Sequence, residues 1–153
     1  MKHFTLRFSF AVTAIGLVAT TGCGGKFDST VQGKVTLDGE AVPQGTVSFL
    51  PTAGGPTAFA RIDSSGTYEI RTGREAGLSP GDYLVAVVAN EPAPVSQTAD
   101  GGPPPPGKPI TPPWYRSQET SGLKFTVTPG KNEINLDLTS QPPEGWKPPR
   151  RRR

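Results

Sequence analysis

Val31-Gln32-Gly33-Lys34-Val35-Thr36-Leu37-Asp38-Gly39 is the stretch that decides the fold class. Val31, Gly33, Val35 and Leu37 fall on one side of an extended chain, with Gln32, Lys34 and Thr36 on the other. This two-residue period marks a strand with one buried face, because successive side chains of an extended backbone point in opposite directions. Asp38-Gly39 then signals a tight turn, since glycine accepts the positive φ that a two-residue hairpin turn demands.

The same pattern repeats along the chain. Gly45-Thr46-Val47-Ser48-Phe49-Leu50 is a second strand, stopped by Pro51. Residues 57–62 form a third, with Ala58, Ala60 and Ile62 on one face and Phe59 and Arg61 opposite. Asp63-Ser64-Ser65-Gly66 is a turn, and residues 67–72 follow with Tyr68 and Ile70 inward. Residues 82–90 are apolar on both sides around Tyr83-Leu84-Val85-Ala86-Val87-Val88, which predicts a central strand covered on both faces for part of its length. Leu123, Phe125 and Val127 alternate with polar residues, as do Ile134, Leu136 and Leu138, and Pro129-Gly130-Lys131-Asn132 between them reads as the turn of an antiparallel hairpin. Seven strands at this spacing, with no helical period between them, predict an all-β, seven-stranded antiparallel two-layer sandwich over residues 31–139. With 19 glycines and 18 prolines the chain is rich in turns, and helices are disfavoured.

Residues 91–119 interrupt this pattern as a proline-rich insertion containing Pro103-Pro104-Pro105-Pro106 and Pro112-Pro113-Trp114-Tyr115. Proline lacks the N–H that a sheet ladder needs, so the segment favours extended polyproline conformation. Trp114 and Tyr115 have two readings: an aromatic platform for a glycan or peptide, or a pin holding the returning loop against the sandwich. Leu78-Ser79-Pro80-Gly81-Asp82-Tyr83 fits a tyrosine corner, in which Tyr83 enters the core and returns its hydroxyl to backbone a few residues upstream.

The N-terminus is of another kind. Lys2 and Arg7 precede a largely apolar run over residues 8–19, shorter than the roughly 20 residues that span a bilayer and of the length of a secretory leader. Leu17-Val18-Ala19-Thr20-Thr21-Gly22-Cys23 resembles a lipobox, the cleavage site of bacterial lipoproteins. The resemblance implies a signal peptide over residues 1–22, a diacylglycerol on the sulfur of Cys23 and a short tether over residues 23–30. The competing reading is an ordinary signal peptide cut near Thr20 or Gly22, leaving Cys23 a free thiol. Cys23 is the only cysteine, so in an exported chain it has no disulfide partner. Gly24, where such lipoproteins carry Asp as an inner-membrane retention signal, leans the expectation towards an outer-membrane, periplasmic or surface-facing location.

The order of motifs in the sandwich is also recognisable. Residues 33–47, from Gly33-Lys34-Val35 through Asp38-Gly39 to Pro43-Gln44-Gly45-Thr46-Val47, then Asp63-Ser64-Ser65-Gly66-Thr67-Tyr68, then Pro80-Gly81-Asp82-Tyr83, resemble the carboxypeptidase regulatory-like domain. The match covers residues 31–90, with 123–138 as a closing hairpin. It implies a transthyretin-like, prealbumin-like sandwich of immunoglobulin-like architecture and a noncatalytic role as a structural or interaction module.

The residues themselves limit the chemistry. His3 is the only histidine and lies in the leader, so the expected mature chain has neither a Ser-His nor a Cys-His pair and no histidine metal ligand. Asp63-Ser64-Ser65 lacks the further acidic ligands of a calcium loop, and Glu69 and Asp82 are expected to be separate solvated charges. No catalytic residue, metal, cofactor, small-molecule substrate or nucleic acid is therefore expected. The formal charge of +3 is misleading for the last of these, because removal of Lys2 and Arg7 leaves +1 and four of the remaining positive charges are the terminal arginines. Residues 24–149 alone carry ten basic and thirteen acidic side chains, a formal −3.

Residues 140–153 read by composition as a disordered tail ending in Arg150, Arg151, Arg152 and Arg153, either a solvated charge run or a contact for an anionic surface. The partners expected are a membrane, through the N-terminal lipid, and an envelope protein or glycan whose identity the residues leave open.

Overall fold

A computed structural model describes residues 27–93 and 104–147. The leader, Cys23, residues 94–103 and the terminal arginines lie outside the described residues. The body is all-β: β1 (Ser29–Leu37), β2 (Glu40–Ala41), β3 (Gly45–Pro51), β4 (Ala58–Ile62), β5 (Thr67–Glu69), β6 (Arg71–Thr72), β7 (Glu75–Ala76), β8 (Gly81–Val88), β9 (Leu123–Val127), β10 (Gly130–Glu133) and β11 (Leu136–Leu138), with one 3-10 turn at Pro113–Arg116. The main path of hydrogen-bonded strands is β10, β1, β5, β4, β3, β8, β9. It curls so that the inward residues of its two halves share one core.

Alternation in the sequence becomes alternation in burial. Val31, Gly33 and Val35 of β1 are buried between exposed Gln32 and Lys34. Ala58, Ala60 and Ile62 of β4 are buried, with Phe59 and Arg61 outside. Phe49 sits between two tyrosines, 6.4 Å from the Tyr68 ring and 6.0 Å from the Tyr83 ring. These separations suit tilted aromatic pairs, which contribute about 0.5–1.5 kcal/mol beyond the area they bury. Asp38 and Gly39 take φ of 51° and 88°, and the turn they make pairs Leu37 with Glu40 antiparallel. β8 lies between β3 and β9, one strand in from the end of the path and not at its centre, and its residues are buried or partly buried on both faces from Tyr83 to Val88.

Two features differ from the sequence expectation. Among the described residues there are eleven strands, not seven, partly because the predicted strand at 67–72 breaks at Ile70. Ile70 donates its N–H to Val31 of β1, whereas Arg71 has moved to Phe59 of β4, so the segment changes partner in mid-course.

The second difference is topological. Residues 123–138 do not form an antiparallel hairpin: β9 pairs with β8, whereas β10 and β11 cross over and pair in parallel with β1. The turn residues explain the crossover. Asn132 Oδ1 accepts the Thr128 N–H at 2.9 Å, and Asn132 Nδ2 donates to the Thr128 carbonyl at 2.7 Å, so a side chain occupies the groups a hairpin partner would need. Gly130 donates its N–H to Asp28, and the chain passes directly onto the free edge of β1.

Gly33 makes this edge usable. A β-carbon there would stand 1.9 Å from the Ile134 carbonyl oxygen, so β1 and the link between β10 and β11 approach closely only because the side chain is absent. Opposite this point the ladder is completed by a side chain, with Asn135 Oδ1 accepting the Lys34 N–H at 2.9 Å.

Candidate functional site

The proline-rich insertion is the most specialised part of the body, and hydroxyl groups hold it there. β9 covers β8 only as far as Val85, opposite Leu123. Beyond that point the edge of β8 needs other partners, because buried backbone groups left unpaired are costly. Ser121 Oγ donates to the Val85 carbonyl at 2.5 Å. Thr111 Oγ1 donates to the Val87 carbonyl at 3.2 Å and accepts the Ala89 N–H at 3.0 Å. The Ala89 carbonyl accepts from the backbone of Ile110 at 2.9 Å. Thr111 and Ser121 are 1% and 6% exposed, so two small hydroxyls replace a strand that prolines cannot form. Sequence reasoning passed over both, since hydroxyl residues in a proline-rich loop look like ordinary solvated positions.

Between these two anchors the 3-10 turn Pro113–Arg116 carries Trp114 and Tyr115 into the core, leaving them 6% and 7% exposed. Thr120 Oγ1 donates to the Trp114 carbonyl at 2.7 Å, closing the loop behind it. The Tyr115 hydroxyl accepts the Thr139 N–H at 3.2 Å and so ties the insertion to the end of β11. Little of either side chain is open to solvent in this arrangement, the burial that a pin requires. Trp114 Nε1 is buried without an acceptor among the described residues.

Composition suggested a free tail over residues 140–153; the described part of it, residues 140–147, folds back. Trp146 packs edge-on against Trp114, with ring centroids 5.1 Å apart, and is half-buried. Its N–H closes a turn onto Pro143 at 3.0 Å. Spacing alone gives no signal for this, because Trp146 stands in a run of prolines and charges.

The other predicted features have plain outcomes. Tyr83 forms the corner, its hydroxyl donating to the Ser79 carbonyl at 2.7 Å. Burial disfavours its ionised form and raises the phenol pKa. Asp63 holds a turn, its Oδ1 accepting from the Ser65 N–H at 2.8 Å, the Ser65 hydroxyl at 2.7 Å and the Thr67 N–H at 2.9 Å. These donors, the Ser65 hydroxyl foremost, lower its pKa by favouring the carboxylate. Glu69 on β5 and Asp82 on β8 are separated by β4 and β3, so they do not meet. Cys23 and Arg150, Arg151, Arg152 and Arg153 lie outside the described residues.

The solvent face of the sheet carries an open groove of about 610 Å³ over β3 to β6. Phe59, 52% exposed, stands in it beside Arg61 and its cross-strand neighbour Arg71, with Asp63 and Glu69 also lining it. Two guanidinium groups and two carboxylates give the groove no net charge. Among the described residues no cluster of three or more histidine, cysteine or acidic side chains is arranged to hold a metal, and no helix is long and apolar enough to cross a membrane. Compared with protein-family models, curated proteins and solved structures, the chain finds no match.

Proposed function

We propose that the protein is a lipid-anchored, noncatalytic structural or interaction module of the bacterial cell envelope, built on a transthyretin-like sandwich of the carboxypeptidase regulatory type. The observation that carries this reading is the lone Cys23, placed after an apolar leader and a few residues before β1. Residues 24–28 reach about 17 Å when extended, so an acylated Cys23 would hold the start of β1 close to the bilayer. Each buried methylene contributes about 0.8 kcal/mol, and two or three acyl chains make such an anchor stable. The body suits a contact role: the buried hydroxyls of Tyr68, Thr111 and Ser121 are spent on backbone carbonyls.

Cell fractionation of the wild type and of Cys23→Ser tests the reading. The wild type is expected in the membrane pellet and resistant to high salt, with Cys23→Ser displaced to the soluble fraction; equal partitioning of the two would reject the anchor.

A second reading, a glycan- or peptide-binding module, draws on the Phe59 groove in place of the buried Trp114 and Tyr115. Loss of a glycan-array or peptide-array signal in Phe59→Ser, with unchanged folding, is its expected signature.

A further inference from the structure

β9 ends the path of hydrogen-bonded strands, so among the described residues its outer edge pairs with no other strand. Which of its backbone groups face that edge follows from β8. The Asp82 carbonyl accepts the Thr52 N–H at 2.9 Å and the Ala86 carbonyl accepts the Ser48 hydroxyl at 3.4 Å, so these residues turn their backbone groups towards β3. The Val85 and Val87 carbonyls, which accept from Ser121 and Thr111, turn the other way, towards β9 and the insertion. Residues directly opposite in an antiparallel ladder exchange both bonds or neither. Tyr83 stands opposite Phe125 and Gly81 opposite Val127, so Phe125 and Val127 are bonded to β8. Lys124 and Thr126 therefore direct their N–H and C=O groups away from it, along the open edge.

The side chains at this edge complement those of a second copy. Phe125 packs on the core and is only partly buried. Lys124 and Thr126 are exposed on the other face, where the Thr126 hydroxyl donates to Asp82 Oδ1. Two β9 strands laid antiparallel about a twofold axis at Phe125 set Lys124 opposite Thr126 of the second copy. Both residues direct backbone groups outward, so each such pair exchanges both ladder bonds. Asp82 of the second copy comes next in the same row, about 10 Å from Lys124 between Cα atoms, a span that a lysine and an aspartate side chain bridge together. The two Phe125 residues meet at the axis and cover one another. A register centred on Lys124 sets two ammonium groups face to face, so the lysine that deters indiscriminate edge pairing selects this arrangement.

We propose that β9 is a homodimer interface, pairing antiparallel with β9 of a second copy so that the curled sheet continues across the twofold axis. The pairing uses residues of the β body alone and is independent of Cys23.

The full chain carrying Cys23→Ser has no thiol, so Phe125→Cys added to it reports a single contact. Opposed Cα atoms at a non-hydrogen-bonded antiparallel position stand about 4.5 Å apart, within the range of a disulfide. Mild oxidation is expected to link Phe125→Cys into a dimer about tenfold or more faster than Lys131→Cys, which is exposed on β10 at the other end of the path. Equal rates would overturn the proposal.

Phe125→Cys also removes an apolar contact, so sedimentation velocity of variants at exposed positions gives a second measurement. Cys23→Ser alone should form a reversible dimer. Lys124→Glu should raise its dissociation constant about tenfold or more by facing Asp82 of the second copy with a like charge, and Asp82→Lys added to Lys124→Glu should restore it. Circular dichroism should be unchanged throughout. A chain monomeric at millimolar concentration, a dimer indifferent to Lys124→Glu, or a reversed pair that restores nothing would overturn the proposal.

Discussion

The Tyr68 hydroxyl donates to the Ile134 carbonyl at 2.6 Å, joining residues that stand 66 apart in the chain. Tyr68 lies on β5 and Ile134 on the link between β10 and β11, so this bond fastens the crossover that closes the sheet. Gly33 passes between them. A β-carbon at Gly33 would lie 1.9 Å from the Ile134 oxygen and 3.3 Å from the Tyr68 ring, so the three residues form one joint.

Tyr68→Phe leaves the buried Ile134 carbonyl without this donor. A stability loss of about 1–3 kcal/mol is expected, against about 1 kcal/mol for Tyr83→Phe at the partly buried corner. Urea unfolding of the two variants measures the difference, and equal losses would mean that Tyr68 holds no special place.

Burial also raises the Tyr68 phenol pKa well above its ordinary value near 10. The neutral form is favoured in the folded state, so the stabilisation is complete below the free-phenol pKa and is lost as pH rises towards the folded value. Alkaline difference spectra should show Tyr68 ionising last, together with unfolding. Its titration as a free phenol in folded protein would contradict the burial.

Gly33→Ala forces a β-carbon into backbone that is not free to move. The cost should reach or exceed the top of the roughly 1–3 kcal/mol range for overpacking. A melting temperature equal to wild type would show that β1 and Ile134 are not in contact.

Much of this arrangement was legible before the fold was known. The inward faces of β1 and β4, the Asp38-Gly39 turn, Tyr68 and Ile70 as core residues, and the Tyr83 corner all follow from period and turn chemistry. Strand partners did not, because alternation says which face of a strand is buried and nothing about its neighbour. Asn132 decided that question, and an Asn in a Pro-Gly turn reads equally well as a hairpin residue. The insertion was obscure for a related reason. Thr111 and Ser121 act through hydroxyls directed at β8, and their value is visible only once β9 is seen to stop at Leu123.

Thr111→Val removes both bonds to Val87 and Ala89 while keeping the volume, and should cost about 1–3 kcal/mol for buried groups left unpaired. Faster hydrogen exchange at Ala89 and Ile110 is the local signature. Protection unchanged at both would place the anchoring elsewhere.

Trp114→Ala should cost about 3–5 kcal/mol, because a nearly buried indole leaves a cavity in the core. Trp146→Ala should cost about 1 kcal/mol, the order of a single aromatic contact. Since these are the only two tryptophans, either change should abolish the same far-ultraviolet exciton couplet. A couplet that survives in Trp146→Ala would refute the pairing.

Asp63 and Asp38 have depressed pKa values, the first from the Ser65 hydroxyl and the Ser65 and Thr67 N–H groups, the second chiefly from the Ser140 N–H. Both therefore stabilise the fold above the ordinary carboxylate pKa, and the effect is lost as pH falls through their folded values. Asp63→Asn should flatten this acid limb of the stability curve; an unaltered limb would remove the turn from the explanation.

Intact-mass analysis of the N-terminal peptide, from protein extracted out of bacterial membranes, tests the anchor most directly. The expected result is a chain beginning at Cys23 with a diacylglycerol thioether on Sγ. A chain that begins elsewhere, or an unmodified Cys23 in protein recovered from the soluble fraction, would contradict the account.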